Sequence, residues 1–396
     1  MMSGTALSGV TVVDFAQGIA GPYCACLLGE LGAHVIKVEP PEGDWGRKIG
    51  PQYGDAGVIF RTFNRGKRSV VLDLKEPVAR QAALRLVDTA DVFIESNRPG
   101  VLQRYGLDYA SLHARNARLV YVSVTGFGQT GSYANRAATD SLMQAYTGLS
   151  FAAEESGRPG RLRIGIIDVS AGIYANSAVL AALITRQRSR SGQYLDINLT
   201  HTSAALQAYK IAEDAASGGA PQQELFAGTG TYRTRDGWIA VSAIRDKHVI
   251  ALLRIAGRSD LLSDAMFAST ELRLDHQEDL RKLIATEMEK MPTQHWLRAM
   301  QEADVMGQEV LSYARFREDA HVRDRRIFMG MDDAACGPLP MVRMPGLDPD
   351  ELAFEPYPPM GQNTREELAA AGVATADIEA LLKAQSASDG ARREAP

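Results

Sequence analysis

Cysteine is scarce in this chain: three in 396 residues, Cys24, Cys26 and Cys336. Cys24 and Cys26 lie two apart in an apolar helical stretch and project about 200° apart around the axis, so they do not readily pair. Nothing beside them completes a set of four zinc ligands, and no metal is expected. So few free thiols suit a reducing cytoplasm, the expected location. An excess of positive charge is also missing. With 43 Lys and Arg against 48 Asp and Glu the net charge is −5. That argues against a nucleic-acid partner, which needs a basic face. The N-terminus has no charged region followed by an apolar run, and no signal peptide is expected. No stretch approaches the ~20 apolar residues of a membrane helix, so no membrane contact is expected either. No internal repeat is visible.

What is present is the balance of a globular protein, 45% hydrophobic and 23% charged. A chain this long exceeds one ordinary core, which predicts two domains. Short β-rich runs over 10–15, 34–38, 69–74, 91–95, 119–124 and 194–199 alternate with helical segments over 22–31, 77–88 and 169–186. Several runs (VIKV, DVFI, RLVYVSV) are nearly continuous in apolar residues, as in strands covered on both faces. The alternation predicts a doubly wound, Rossmann-like parallel sheet with helices on both sides. Gly218-Gly219-Ala220-Pro221 marks a domain edge. Beyond it, 229–243 reads as a hairpin turning at Arg235-Asp236-Gly237, followed by helices over 247–256, 276–290 and 293–303. The predicted division is a large α/β domain over 1–215, a small α+β domain over 216–330, and a return segment over 331–396 that completes the large domain. The return segment reads as an extended path from about Met329, with helices over 364–371 and 375–384 and a disordered tail.

Three places carry candidate chemistry. In Asp14-Phe15-Ala16-Gln17-Gly18-Ile19-Ala20-Gly21-Pro22, glycines and a first-turn proline bring backbone N–H groups to the carboxyl end of a strand. Glu39 then ends the second strand where a dinucleotide fold keeps its ribose-binding acid, but the spacing is GxxG rather than GxGxxG. The turn therefore reads either as a phosphate cradle or as plain helix-to-sheet packing. The cations of Asn64-Arg65-Gly66-Lys67-Arg68-Ser69 read as solvated surface. Lys75, Arg98 and Arg104, near the crevice edge, instead suit phosphates such as those of coenzyme A. Asp168 and Asp140 each stand at the start of a helix. Each is either an N-cap or a carboxylate kept ionised by a helix N-terminus and able to attack a thioester.

Read together, LSGVTVVDFAQGIAGPYCACLLGELGAHVIKVEPPEGD, FRTFNRGKRSVVLDLKEP, ADVFIESNRPGVLQRYGLDYASL, NARLVYVSVTGFGQTG, RLRIGIIDVSAGIYANSAVLAALITRQRSRSGQYLDINL, TYRTRDGWIAVSA and GQNTREELAAAGV resemble class III CoA-transferases, a family that also includes α-methylacyl-CoA racemases. The resemblance runs over nearly the whole chain. It implies a transferase that moves CoA from an acyl-CoA to a small carboxylic acid, with Asp168 as the covalent carboxylate passing through a mixed anhydride and an aspartyl-CoA thioester. Coenzyme A contacts would fall on Gly18, Ile19, Ala20, Leu72, Lys75, Ser96, Asn97, Arg98 and Arg104, with Thr139 and Asp140 beside them. The resemblance also implies an interlocked, ring-like homodimer.

The departures narrow this further. The racemases have a histidine where Thr139 stands, and threonine exchanges no proton near neutral pH, which disfavours racemisation. Pro40 follows Glu39 where a cation is common, and His201 stands where an aspartate is common. AGTGTYRT is too short for the glycine-rich flap of formyl-CoA transferases, which argues against formate or oxalate. Tyr146, Phe151, Tyr232 and Trp238 are candidates for an apolar wall favouring a larger acyl group, or are simply core. A nucleotide-dependent oxidoreductase and a silent CoA-binding module are the rival readings.

Overall fold

The computed structural model describes residues 5–153, 158–219, 226–348, 350 and 355–393, the last eight of these as backbone only. Contacts divide the chain into two units, one of Met1–Ala208 with Arg326–Pro396 and one of Tyr209–Arg325.

The first unit holds β1 (Thr11–Asp14), α1 (Ala20–Glu30), β2 (His34–Glu39), the short strands β3 (Gln52–Tyr53) and β4 (Ala56–Gly57), α2 (Val58–Asn64), β5 (Arg68–Val71), α3 (Pro77–Asp88) and β6 (Val92–Glu95). It continues through α4 (Tyr109–Arg115), β7 (Val120–Thr125), α5 (Asp140–Tyr146), α6 (Leu149–Ala152), α7 (Ile166–Ser189), β8 (Tyr194–Asn198) and α8 (Leu199–Leu206). Six strands form one sheet in the order β5-β2-β1-β6-β7-β8, every pairing parallel. The doubly wound sheet is as the apolar runs predicted.

Alternation along each strand feeds two cores. Val12, Val92 and Val120 face Cys24, Leu28 and Ala175 of α1 and α7. Their neighbours Val13, Phe93 and Tyr121 face Ala82, Ala83 and Leu86 of α3 on the other side. Small residues let α1 and α7 approach closely. A Cβ on Gly172 would lie 2.8 Å from the Ala20 carbonyl oxygen; within the turn after β1, one on Gly21 would lie 2.3 Å from the Ala16 Cβ. That closeness carries the turn after β1 to the first turn of α7. By length and composition α7 is apolar enough to cross a membrane, contrary to the sequence expectation, but Ala171, Ala175, Val179 and Ala182 are core residues here.

The chain returns through the hairpin β12 (Phe328–Met331) and β13 (Leu339–Val342) and through α16 (Thr364–Ala370) and α17 (Thr375–Arg393). The extended path expected here is therefore a paired hairpin in part, and α17 continues through residues expected to be disordered. Asn363 pins the return to β5: its Oδ1 accepts the Ser69 amide (3.0 Å) and its own amide donates to the Ser69 carbonyl (2.9 Å).

The second unit is α+β. After α9 (Ala208–Ser217) come β9 (Gly230–Arg233) and β10 (Trp238–Ser242), which form the expected hairpin. Then follow α10 (Asp246–Ile255), α11 (Thr270–Asp275), α12 (Gln277–Met288), α13 (Thr293–Glu302), β11 (Met306–Glu309), α14 (Tyr313–Glu318) and α15 (Ala320–Asp324). β11 completes an antiparallel sheet in the order β11-β10-β9. Its sequence, MGQE, has no alternation by which to find it.

Candidate active site

Strand order reverses between β1 and β6, and the crevice at the carboxyl ends of these strands is where an open parallel sheet takes a ligand. The loops on its two sides are tied together, because the Gln17 amide donates to Ser96 Oγ at 2.9 Å. Gly18 has φ +83°, and a Cβ there would meet the Trp45 ring at 2.3 Å, so both backbone conformation and space require glycine. The Gly18 amide donates to Asp44 Oδ1 at 3.0 Å, which also accepts the Gly46 amide at 2.7 Å.

Beneath this turn lie buried ions. Lys37 pairs with Asp44 (2.7 Å) and donates to the Ala16 carbonyl; Lys67 bonds Asp14 Oδ2, the Pro22 carbonyl and Asn64 Oδ1, each at 2.8 Å. Lys67 is therefore not a solvated cation. Arg65 is buried against Glu30, and Arg68 reaches Glu366 and Glu367. Glu39 is not free for a ribose either. Arg47 grips it through two bonds of 2.7 Å, and Ser69 Oγ and the Asp44 amide donate to it. Burial alone would raise its pKa, but Arg47 holds it below the ordinary carboxylate range.

Above the turn is a cavity of about 260 Å³ lined by Ile19, Ala20, Trp45, Ser96, Arg98, Arg136, Thr139 and Asp168. A second cleft of about 570 Å³ shares Gln17 with it and is lined by Leu72, Lys75, Asn97, Tyr105 and Leu381. Most of the residues expected from the sequence thus gather around two adjoining spaces. Gly18 lies beneath them and Asp140 behind. Arg104 is exposed on the Leu102–Tyr105 turn and lines neither space. Sequence reasoning missed Gln17, Trp45 and Arg136. Arg136 stacks on Tyr133, 3.5 Å from its ring centroid, and among the described residues no carboxylate pairs with it.

Two of the candidates for an apolar wall, Tyr146 and Phe151, do not line this cavity. Tyr146 packs on Phe127 and Tyr133, and Phe151 is exposed. Tyr232 is a core residue of the second unit, where its hydroxyl donates to the Gly228 carbonyl at 2.8 Å, and Trp238 lies half-exposed on β10. His201 lines neither space; its amide donates to Asn198 Oδ1 at 2.8 Å.

Asp168 is not the N-cap of α7. Gly165 is, and Asp168 stands in the first turn. The capping carboxylate comes from α5: Asp140 Oδ2 accepts the amides of Ile167 (2.7 Å) and Asp168 (3.1 Å), and Asp140 Oδ1 accepts Gln144 Nε2 (2.6 Å). With those amides engaged, the helix end does not hold Asp168 ionised as the sequence suggested. Burial first, and the charge of Asp140 second, push the Asp168 carboxyl up to about 7. Among the described residues no group of three or more His, Cys, Asp or Glu is arranged to hold a metal ion.

Residues 7–364 match CoA-transferase family III. The chain is 34% identical over 379 residues to the succinate–glutarate CoA-transferase of Agrobacterium fabrum, spanning 92% of this chain and 95% of that one. It is 32% identical over 393 residues to the succinyl-CoA–D-citramalate CoA-transferase of Chloroflexus aurantiacus, spanning 96% and 97%. A crystal structure of a CAIB/BAIF family protein from Brucella suis superposes with a TM-score of 0.84 at 30% identity, covering 93% of this chain and 100% of that one.

Proposed function

The chain belongs to CoA-transferase family III, and from that premise we propose that it moves coenzyme A between carboxylic acids through covalent intermediates on Asp168. The observation that carries this is a half-buried carboxylate facing a cavity whose other polar groups are two arginines and uncharged hydroxyls and amides. A hydroxyl nucleophile would need a base, and no histidine lines the space. A carboxylate needs none once ionised.

In the first half-reaction Asp168 attacks the thioester carbonyl, the C–S bond breaks and CoA leaves as thiolate, giving a mixed anhydride. The thiolate then attacks the aspartyl carbonyl of the anhydride, expelling the donor acid and leaving an aspartyl-CoA thioester. The acceptor carboxylate attacks that thioester and the two steps run in reverse. The net exchange consumes no proton. Coenzyme A enters as substrate, with Lys75, Leu72 and Asn97 lining the cleft for its nucleotide end and Ile19, Ala20 and Ser96 near the reacting thioester. Backbone amides at the Ile19 turn suit the developing oxyanion.

A dicarboxylic acid is the favoured substrate class. The named relatives act on succinate, glutarate or citramalate, and Arg98 and Arg136 offer two cations in the cavity. The working form is a homodimer. Ile173, Tyr174 and Ile184 of α7, Leu142 and Tyr146 of α5 and Phe151 of α6 are exposed apolar side chains that a second copy would cover. A stable monomer in analytical ultracentrifugation at micromolar concentration would refute that assembly.

Brief incubation with a panel of acyl-CoAs, hydroxylamine trapping and peptide mass spectrometry tests the chemistry. A modification at Asp168 that is lost in Asp168→Ala is the expected result. No adduct with any thioester, alongside deuterium exchange at the α-carbon, would replace the transferase reading with racemisation.

A further inference from the structure

Asp140 touches neither cavity, yet it is built into the support of Asp168. Its two oxygens take three donors: the amides of Ile167 and Asp168 and the Nε2 of Gln144. Gln144 is itself only 1% exposed and is fixed to the irregular segment before α7, its Oε1 accepting the Leu162 amide at 3.0 Å and its Nε2 donating to the Leu162 carbonyl at 3.1 Å. Hydrogen bonds to a carboxylate's oxygens favour its charged form, and all three donors here point at those oxygens. The result is a fixed negative charge directly behind a second carboxylate.

We infer that Asp140 is a positioning and charge-tuning residue for the transferase reaction, holding the first turn of α7 in place and making the ionised form of Asp168 the least favoured state of that side chain. This rests on the reading of Asp168 as the covalent carboxylate. Ionised, Asp168 faces the charge of Asp140; esterified in the anhydride or the CoA thioester, it carries none. The repulsion that disfavours ionisation therefore favours both covalent intermediates over the free enzyme, and it keeps the attacking oxygen basic. The other charged groups facing Asp168 across the cavity are Arg98, from the loop after β6, and Arg136, from the loop before α5, both exposed to solvent. α1 and the segment at Trp45 present Ile19, Ala20, Gly21 and Trp45, none of them charged.

The test is the pH dependence of Asp168 adduct formation in single turnover with an acyl-CoA donor, in wild type, Asp140→Asn and Asp140→Glu. Asn keeps an oxygen to accept the two amides but removes the charge; Glu keeps the charge. The acid limb of the wild-type profile should move down by ~1 pH unit or more in Asp140→Asn and stay high in Asp140→Glu. At a pH above the acid limb of both proteins, the equilibrium ratio of aspartyl-CoA to free enzyme should fall ~10-fold in Asp140→Asn, as expected for a one-unit change. An unmoved acid limb in a folded Asp140→Asn enzyme overturns the inference. Should that variant not fold, a wild-type profile already level below about pH 5, the ordinary carboxylate range, overturns it as well. Absence of any Asp168 adduct in wild type would instead sink the nucleophile assignment.

Discussion

The Asp44 carboxylate sits between a buried lysine and the glycine of the active-site turn, 2.7 Å from Lys37 Nζ through one oxygen and 3.0 Å from the Gly18 amide through the other. One side chain therefore neutralises a cation under the sheet edge and sets the path of the backbone above it.

Removing that carboxylate leaves Lys37, which is 1% exposed, short of a partner and frees the amides of Gly18 and Gly46. Breaking one member of a buried pair costs about 3–5 kcal/mol, so Asp44→Ala should lose that much stability in urea unfolding. Asp44→Asn, which retains an acceptor for the amides, should lose less. Equal stability of Asp44→Ala and wild type would show that the pair carries nothing.

Gly18→Ala places a methyl in a left-handed conformation against the Trp45 ring. The left-handed conformation alone costs about 1–2 kcal/mol, and the displaced indole lines the Asp168 cavity. KM for the acyl-CoA should rise more than kcat falls. Adding Trp45→Ala should recover part of the loss by removing the clash; additive effects in the double variant would mean that the glycine is needed for its φ alone.

The apolar runs of β2, β6 and β7 made the sheet legible, since a strand buried on both faces is apolar nearly throughout. β11 stayed hidden because MGQE pairs through its backbone and owes nothing to side-chain pattern. The site was legible as motifs, yet several roles lie one contact away from where sequence put them. Lys67 reads as a solvated cation and Glu39 as a ribose-binding acid in the sequence, but each spends its charge inward, on Asp14 and Arg47. Asp168 was readable as a helix-start acid, but no local pattern reveals that a residue 28 positions away supplies the cap. Arg136 carried no spacing signal; its stacking on Tyr133 is a tertiary fact.

Lys75 and Arg104 separate two expectations for coenzyme A. Lys75 lines the larger cleft, whereas Arg104 is exposed and lines neither space. Lys75→Ala should raise KM for acyl-CoA ~10-fold, the loss of one charge-assisted contact, and the defect should shrink in high salt. Arg104→Ala should change KM less than twofold. A larger effect of Arg104 would mean that the turn at Leu102–Tyr105 swings inward when substrate binds.

Asp168 also couples stability to pH, with a sign opposite to that of most acids. Its folded carboxyl titrates near 7, above the ordinary range of about 4 that it has when unfolded. Between those values the native state keeps a proton that the unfolded chain has released. Unfolding then releases a proton, and stability falls as pH rises through that window. Below it both states are protonated and the effect vanishes; above it the cost is complete. Asp168→Asn, similar in shape and without a titration, should therefore gain on wild type as pH rises. The gain should be near zero at about pH 4 and reach up to a few kcal/mol at about pH 8. Only the difference between the two proteins is diagnostic, because every other titrating group cancels in it. A difference that stays flat across the window would place the Asp168 carboxyl at its ordinary value and remove the repulsion from Asp140 as a feature of the site.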